Sequence, residues 1–233
     1  HNLVRIMTAV EMNNFVADSV DADLLRRLER SGPRYTSYPT ADRFVEAFGP
    51  DAYRAWTAKR NIGGIIRPLS LYVHIPFCSS PCFYCACNKI VTRDRGKVAH
   101  YLNFLLREIA MQGELFRNDP DVVQLHWGGG TPTFLKHEEM HQLMTTIRSH
   151  FRLAADGEYS VEIDPRTADG ETMAVLAELG FNRASFGVQD FDPVVQKTVN
   201  RVQTREETVR VIRAARREGF KSINIDLIYG LPH

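Results

Sequence analysis

Leu69-Ser70-Leu71-Tyr72-Val73-His74-Ile75-Pro76-Phe77-Cys78-Ser79-Ser80-Pro81-Cys82-Phe83-Tyr84-Cys85 joins an apolar run to three cysteines in a C-x3-C-x2-C spacing. The run reads as a strand and the cysteine stretch as the loop at its end. Three thiolates on one short loop can hold three irons of a [4Fe–4S] cluster. The fourth iron is then open, which points to chemistry at the metal, since a pure electron carrier normally takes four protein ligands. All four cysteines lie between Cys78 and Cys87. A disulfide scaffold would spread them to staple distant segments, so they read as a metal site in a reducing, intracellular compartment. Zinc is the weaker alternative, because structural zinc takes two ligand pairs and no second cysteine pair exists here.

Outward from this loop the chain acquires a rhythm. Strand-like runs at Leu69–Ile75, Val122–Trp127, Tyr159–Ile163, Arg183–Phe186 and Ser222–Ile228 alternate with helical patterns at Val98–Phe116, Glu138–Phe151, Glu171–Leu179, Val194–Asn200 and Arg205–Glu218. Such alternation predicts an α/β fold of parallel strands with crossover helices, either an open doubly wound sheet or a barrel. In both, functional residues belong at the C-terminal ends of the strands. Residues 12–68 lack the rhythm and read as an N-terminal extension with short helices near 21–30 and 52–59. Residues 1–11 read as a non-native or disordered leader, and the core is expected over 69–233.

The 233 residues are 44% hydrophobic and 24% charged, with a formal net charge of +1. That balance gives no support for nucleic-acid binding by bulk charge. No apolar run approaches a membrane span, and acidic residues interrupt any signal-like core near the start. A cytoplasmic location is the expectation.

The strand ends carry the polar residues. After the cysteine loop comes Trp127-Gly128-Gly129-Gly130-Thr131-Pro132-Thr133, whose glycines remove every Cβ and are expected to let a ligand reach exposed amides. It lacks the Lys-Ser/Thr ending of a P-loop, and a tight strand-to-helix turn accounts for it about as well. Alternation places Glu162 on the opposite face from Val161 and Ile163. Gln189 ends the fourth strand, and Asp226 interrupts the fifth. Burial penalises each of these, and their recurrence at successive strand ends favours a ligand site on one rim of the sheet.

With those residues in place, the chain resembles the radical S-adenosylmethionine (SAM) enzymes, and within them the oxygen-independent coproporphyrinogen III oxidase (dehydrogenase) family of haem biosynthesis. The resemblance rests on Ser31–Ala41 (SGPRYTSYPTA), Tyr72–Cys78 (YVHIPFC), Cys85–Arg93 (CACNKIVTR), Leu125–Thr133 (LHWGGGTPT), Gly187–Phe191 (GVQDF) and Asn224–Pro232 (NIDLIYGLP). It implies a (β/α)6-type partial barrel, of which five strands are visible. It further implies that the chain is a fragment ending before the sixth strand and a C-terminal domain. By the same resemblance, Cys78, Cys82 and Cys85 are cluster ligands and Cys87 is a non-ligating fourth cysteine. Tyr72, Tyr84, Gly129 and Glu162 match contacts to the SAM on the open iron, Tyr84 standing where phenylalanine is expected. Gly130, Thr131, Gln189, Arg201 and Asp226 match the site of a second SAM. The implied reaction converts two propionates of coproporphyrinogen III to vinyl groups through a 5'-deoxyadenosyl radical, giving protoporphyrinogen IX. A reductant such as flavodoxin or ferredoxin and a monomeric state are implied, and no catalytic residue is assigned. Arg34, Tyr35 and Tyr38 are candidates for the propionates. A haem chaperone of the same superfamily is the alternative; those relatives lack the Cys87-Asn88-Lys89 continuation.

Overall fold

The computed structural model describes residues 21–29, 40–61, 65 and 67–233. The leader 1–11 and the candidates Arg34, Tyr35 and Tyr38 lie outside the described residues. Contacts divide the chain between Ala52 and Tyr53. The first unit contributes helix α1 (Ala22–Leu28) and a 3-10 turn at Ala41–Arg43, and α2 spans Pro50–Ala58.

The second unit alternates as the sequence predicts. Its main strands are β1 (Leu69–Ile75), β4 (Asp121–Gly129), β5 (Arg152–Ile163), β6 (Arg183–Gln189) and β7 (Ser222–Leu227). A separate two-residue ladder, β2 (Phe77–Cys78) with β3 (Ile90–Val91), closes the cysteine loop on itself. The helices are α3 (Arg95–Leu115), α4 (His137–His150), α5 (Gly170–Glu178), α6 (Pro193–Thr198) and α7 (Arg205–Arg217). Their starts follow local chemistry. Asp94, Asp169 and Asp192 accept backbone N–H groups as N-caps, and Thr204 with Glu207 forms a capping box; such caps satisfy donors that the first turn leaves orphaned.

The sheet order is β1-β4-β5-β6-β7, all parallel. Each strand lies beside its predecessor among the five, with no reversal, so this is not the doubly wound sheet left open by periodicity. Because crossovers between parallel strands are right-handed as a rule, a sheet whose neighbours follow chain order carries its helices on one face, as in a barrel wall. The helix-facing residues are apolar and almost wholly buried: Val73, Ile75, Leu125, Trp127, Val161, Ile163, Ala184, Phe186 and Val188. The opposite face carries Tyr72, His74, His126, Ser160, Glu162, Ser185, Asn224 and Asp226, all at least partly accessible.

The structure extends β5 backward beyond the apolar stretch read from sequence. Leu153 still pairs with Val122, but the next matched pair is Glu158 with Gln124, so residues 154–157 bulge out. Among the described residues, no helix is long and apolar enough to cross a membrane.

Candidate functional site

The cysteine loop is held from both sides. Ile90 N–H donates to Pro76 O at 2.7 Å and Thr92 N–H to Cys78 O at 2.9 Å. Across the loop, Asn200 Nδ2 reaches Pro81 O at 2.7 Å, and Phe83 N–H donates to Val199 O at 3.0 Å. Asn200 adopts φ +55°, a left-handed conformation its short amide tolerates better than most side chains. The Cys87-Asn88-Lys89 continuation adds two ties: Lys89 Nζ donates to Cys85 O at 3.0 Å, and Asn88 O lies 2.8 Å from His74 Nε2. These long-range bonds fix the cysteine loop at the ends of the strands.

The three glycines permit close approach of neighbouring groups. A Cβ on Gly130 would stand 2.7 Å from Pro76 O, and one on Gly128 would stand 3.0 Å from the Glu162 carboxylate. The positions their side chains would take are filled by the cysteine loop and by Glu162, while Gly129 and Gly130 still border the cavity between them. The amides are also taken: Gly130 N–H donates to Ile75 O at 2.9 Å, and Gly129 N–H to Glu162 Oε2 at 3.1 Å. The glycines therefore let the cysteine loop and Glu162 sit close against the end of β4, and Gly129 at φ +117° turns the chain out of the strand.

Glu162 points into the concave face and is fixed by that amide and by His126 Nε2, 3.1 Å from Oε1. His126 is oriented in turn by Ser160 Oγ at 2.6 Å from its Nδ1, and the Tyr72 ring stacks on it at 5.7 Å. Burial opposes ionisation of Glu162, but the His126 and Gly129 hydrogen bonds outweigh it and hold the carboxyl below its ordinary value.

At the neighbouring strand end Asp164 is clamped by two guanidiniums, Arg166 Nη2 at 2.7 Å and Arg201 Nη1 at 3.3 Å. The Arg201 and Asp164 side chains are only 10% and 8% exposed. Burial alone would raise the Asp164 carboxyl. The Arg166 hydrogen bonds and both positive charges pull it below the usual range instead. Arg201 Nη2 also donates to Gly187 O at 2.6 Å, and a Cβ on Gly187 would lie 2.8 Å from that nitrogen. Both guanidiniums then reach the cysteine loop: Arg201 Nη1 lies 3.4 Å and Arg166 Nη2 3.8 Å from Cys82 Sγ. Gln189 sits at φ +71°, next to a register shift in β6. Such a backbone position is uncommon for a non-glycine residue and is more often found at functional sites. On β7, Asp226 is held by Ser185 Oγ at 2.9 Å and Asn224 Nδ2 at 2.7 Å.

These elements enclose one cavity of about 260 Å³. Of the residues assigned to metal and cofactors from sequence, Cys78, Cys82, Cys85, Tyr84, Gly129, Gly130, Thr131, Glu162, Gln189, Arg201 and Asp226 all line it. Tyr72 does not; it lies on the same face, stacked on His126, with its hydroxyl 2.9 Å from His74 Nδ1. Sequence reasoning passed over Asp164, Arg166 and His126. The Asp164-Pro165-Arg166 turn directly after a strand was the available signal for the first two, and nothing local marks His126.

The donor set suits an iron–sulfur cluster. Three thiols face one cavity, and arginines aimed at Cys82 would balance the negative charge that thiolate ligation brings. Among the described residues, no three His, Cys, Asp or Glu side chains converge as ligands to a single ion would, whereas a cubane takes one thiolate per iron.

Known proteins agree with this geometry. Residues 72–233 match the radical SAM superfamily. The oxygen-independent coproporphyrinogen III oxidase of Pseudomonas aeruginosa is 56% identical over 215 residues, covering 91% of this chain and 46% of its own length. The Escherichia coli protein of the same name is 49% identical over 212 residues, again 91% of this chain and 45% of its own. The solved structure of Escherichia coli coproporphyrinogen III oxidase, described as a radical SAM enzyme, superposes with a TM-score of 0.83 at 47% identity, covering 91% of this chain and 46% of that one. The chain thus spans just under half the length of these relatives. It belongs to the radical SAM superfamily, and its similarity lies with the oxygen-independent coproporphyrinogen III oxidase family within it.

Proposed function

We propose that this chain is the catalytic core of an enzyme that oxidatively decarboxylates two propionates of coproporphyrinogen III to vinyl groups without oxygen. The observation that carries the proposal is the cavity at the C-terminal ends of the strands. It gathers three cysteines and eight of the nine residues matched to SAM sites, in a chain whose similar proteins bear that name.

In this reading Cys78, Cys82 and Cys85 hold the cluster. Glu162, fixed by His126 and the Gly129 amide, meets the polar groups of SAM beside the open iron. Gly130, Thr131, Gln189, Arg201 and Asp226 receive a second SAM. When bound, the cluster and SAM would supply a 5'-deoxyadenosyl radical to take a hydrogen atom from a propionate, and loss of CO2 with transfer of the remaining electron to a one-electron acceptor would leave the vinyl group. The protein's part is to hold the reactants in register and keep stray hydrogen donors away. Asp164 serves indirectly, by keeping both guanidiniums at the cavity wall. A low-potential reductant of the flavodoxin or ferredoxin class, a cytoplasmic setting and a monomeric state complete the proposal.

The test is anaerobic reconstitution with iron and sulfide, followed by assay with SAM, reductant and coproporphyrinogen III, with the Escherichia coli enzyme as positive control. We expect 5'-deoxyadenosine and decarboxylated porphyrinogen together. Deoxyadenosine without decarboxylation, both in this chain and in a version extended to its relatives' length, would refute the substrate assignment. Haem transfer without SAM turnover would favour a chaperone.

A further inference from the structure

Tyr84 carries a hydroxyl that the site described above does not use. Its oxygen is fully buried and has no hydrogen-bond partner. Leaving a polar group in that condition costs about 1–3 kcal/mol, and phenylalanine would supply the same ring without it. Tyr84 stands two residues from Cys82 on the same loop and lines the same cavity as Cys82, Asp164 and Arg201.

Cys82 is also where other donors converge. Arg201 Nη1 at 3.4 Å and Arg166 Nη2 at 3.8 Å both address its sulfur. Cys78 has one hydroxyl near it, Thr131 Oγ1 at 3.8 Å, whereas two guanidiniums address Cys82. The three cysteines are therefore unequal. A neutral thiol is a poor acceptor, but a metal-bound thiolate is a good one.

We infer that the Tyr84 hydroxyl donates to the Cys82 thiolate, completing with Arg201 and Arg166 a donor set that raises the reduction potential of the cluster. The inference rests on the cluster assignment proposed above. Its physical basis is that an added electron makes the cluster more negative. Donors aimed at a ligand sulfur then stabilise the reduced form more than the oxidised form. No bond to Tyr84 forms or breaks. The single electron comes from the low-potential donor protein and resides on the cluster. Tyr84 is in this sense a tuning residue, acting through Cys82, and its ring remains free to contact SAM.

Tyr84→Phe in the reconstituted chain tests this directly. We expect full iron and sulfide content, with a lower midpoint in an EPR-monitored redox titration. A tenfold fall in the reduced-to-oxidised ratio at fixed potential corresponds to about 59 mV for one electron, and a shift of up to that size is expected. Electron–nuclear double resonance after exchange into D2O should lose one exchangeable proton coupling. Substituting 3-fluorotyrosine for Tyr84, a stronger donor of nearly the same size, should move the midpoint upward. Tyr101→Phe removes a hydroxyl bound to His74 O at 2.6 Å and should leave the midpoint unchanged. An unchanged midpoint and unchanged proton coupling in Tyr84→Phe would overturn the inference. So would a variant whose only defect is weaker SAM binding, since the hydroxyl would then serve SAM. If the parent chain assembles no cluster, the fault lies instead with the reading of the site.

Discussion

The two faces of the same five strands differ in what they can tolerate. Toward the helices, Trp127, Phe186, Val161 and Ile75 are essentially inaccessible and pack against one another. One residue away along each strand, His126, Gly187, Glu162 and His74 face the concave side. There, polar groups stay hydrogen-bonded and partly accessible. The first face is stabilised by removing apolar area from water, at about 25 cal/mol per Å². The second contributes little to folding and bears the burden of desolvated charge. Residues on it are kept for what they touch.

Four substitutions would sharpen or break that contrast. On the helix face, Phe186→Ala should cost about 3–5 kcal/mol, read as a lower midpoint in urea unfolding; a loss below 1 kcal/mol would mean that the buried face is not the stabilising one. Cys82→Ala, at the rim, should abolish cluster assembly by iron and sulfide analysis while moving the unfolding free energy of the metal-free chain by only about 0.5 kcal/mol, as surface-like substitutions do. A variant retaining full iron would contradict the ligand assignment. On the concave face, Glu162→Gln should weaken SAM binding about tenfold, equivalent to about 1.4 kcal/mol, measured by calorimetry on the reconstituted protein. A stability loss as large as that of Phe186→Ala would show that Glu162 serves the fold instead. Cys87→Ser should have the smallest effect, leaving cluster content and EPR signal intact; loss of that signal would make Cys87 a ligand.

Most of the architecture was legible in the sequence because strands and helices are local periodicities. The observed α3, α4, α5 and α7 start and stop within a few residues of the predicted spans, helped by Asp and Thr caps that operate over three residues. The bulge at residues 154–157 was not legible, since a strand that leaves and rejoins its partner is defined by pairing with β4. The glycine loop is legible as a place of close approach, and both a ligand contact and a tight turn fit its spacing. Absence of a Cβ says that something approaches closely, and only the fold says that it is the Pro76 carbonyl and the Glu162 carboxylate.

The sequence by itself determined that five parallel strands would present polar residues at one rim beside a three-cysteine loop, because spacing and alternation are properties of the chain read in order. The tertiary structure alone decided how the surroundings of the three cysteines differ from one another. Arg201 meets Cys82 across 119 positions of sequence and Asp164 holds Arg201 in place. Charge pairing of that kind is set by which strand ends become neighbours, a consequence of sheet order that no local pattern encodes.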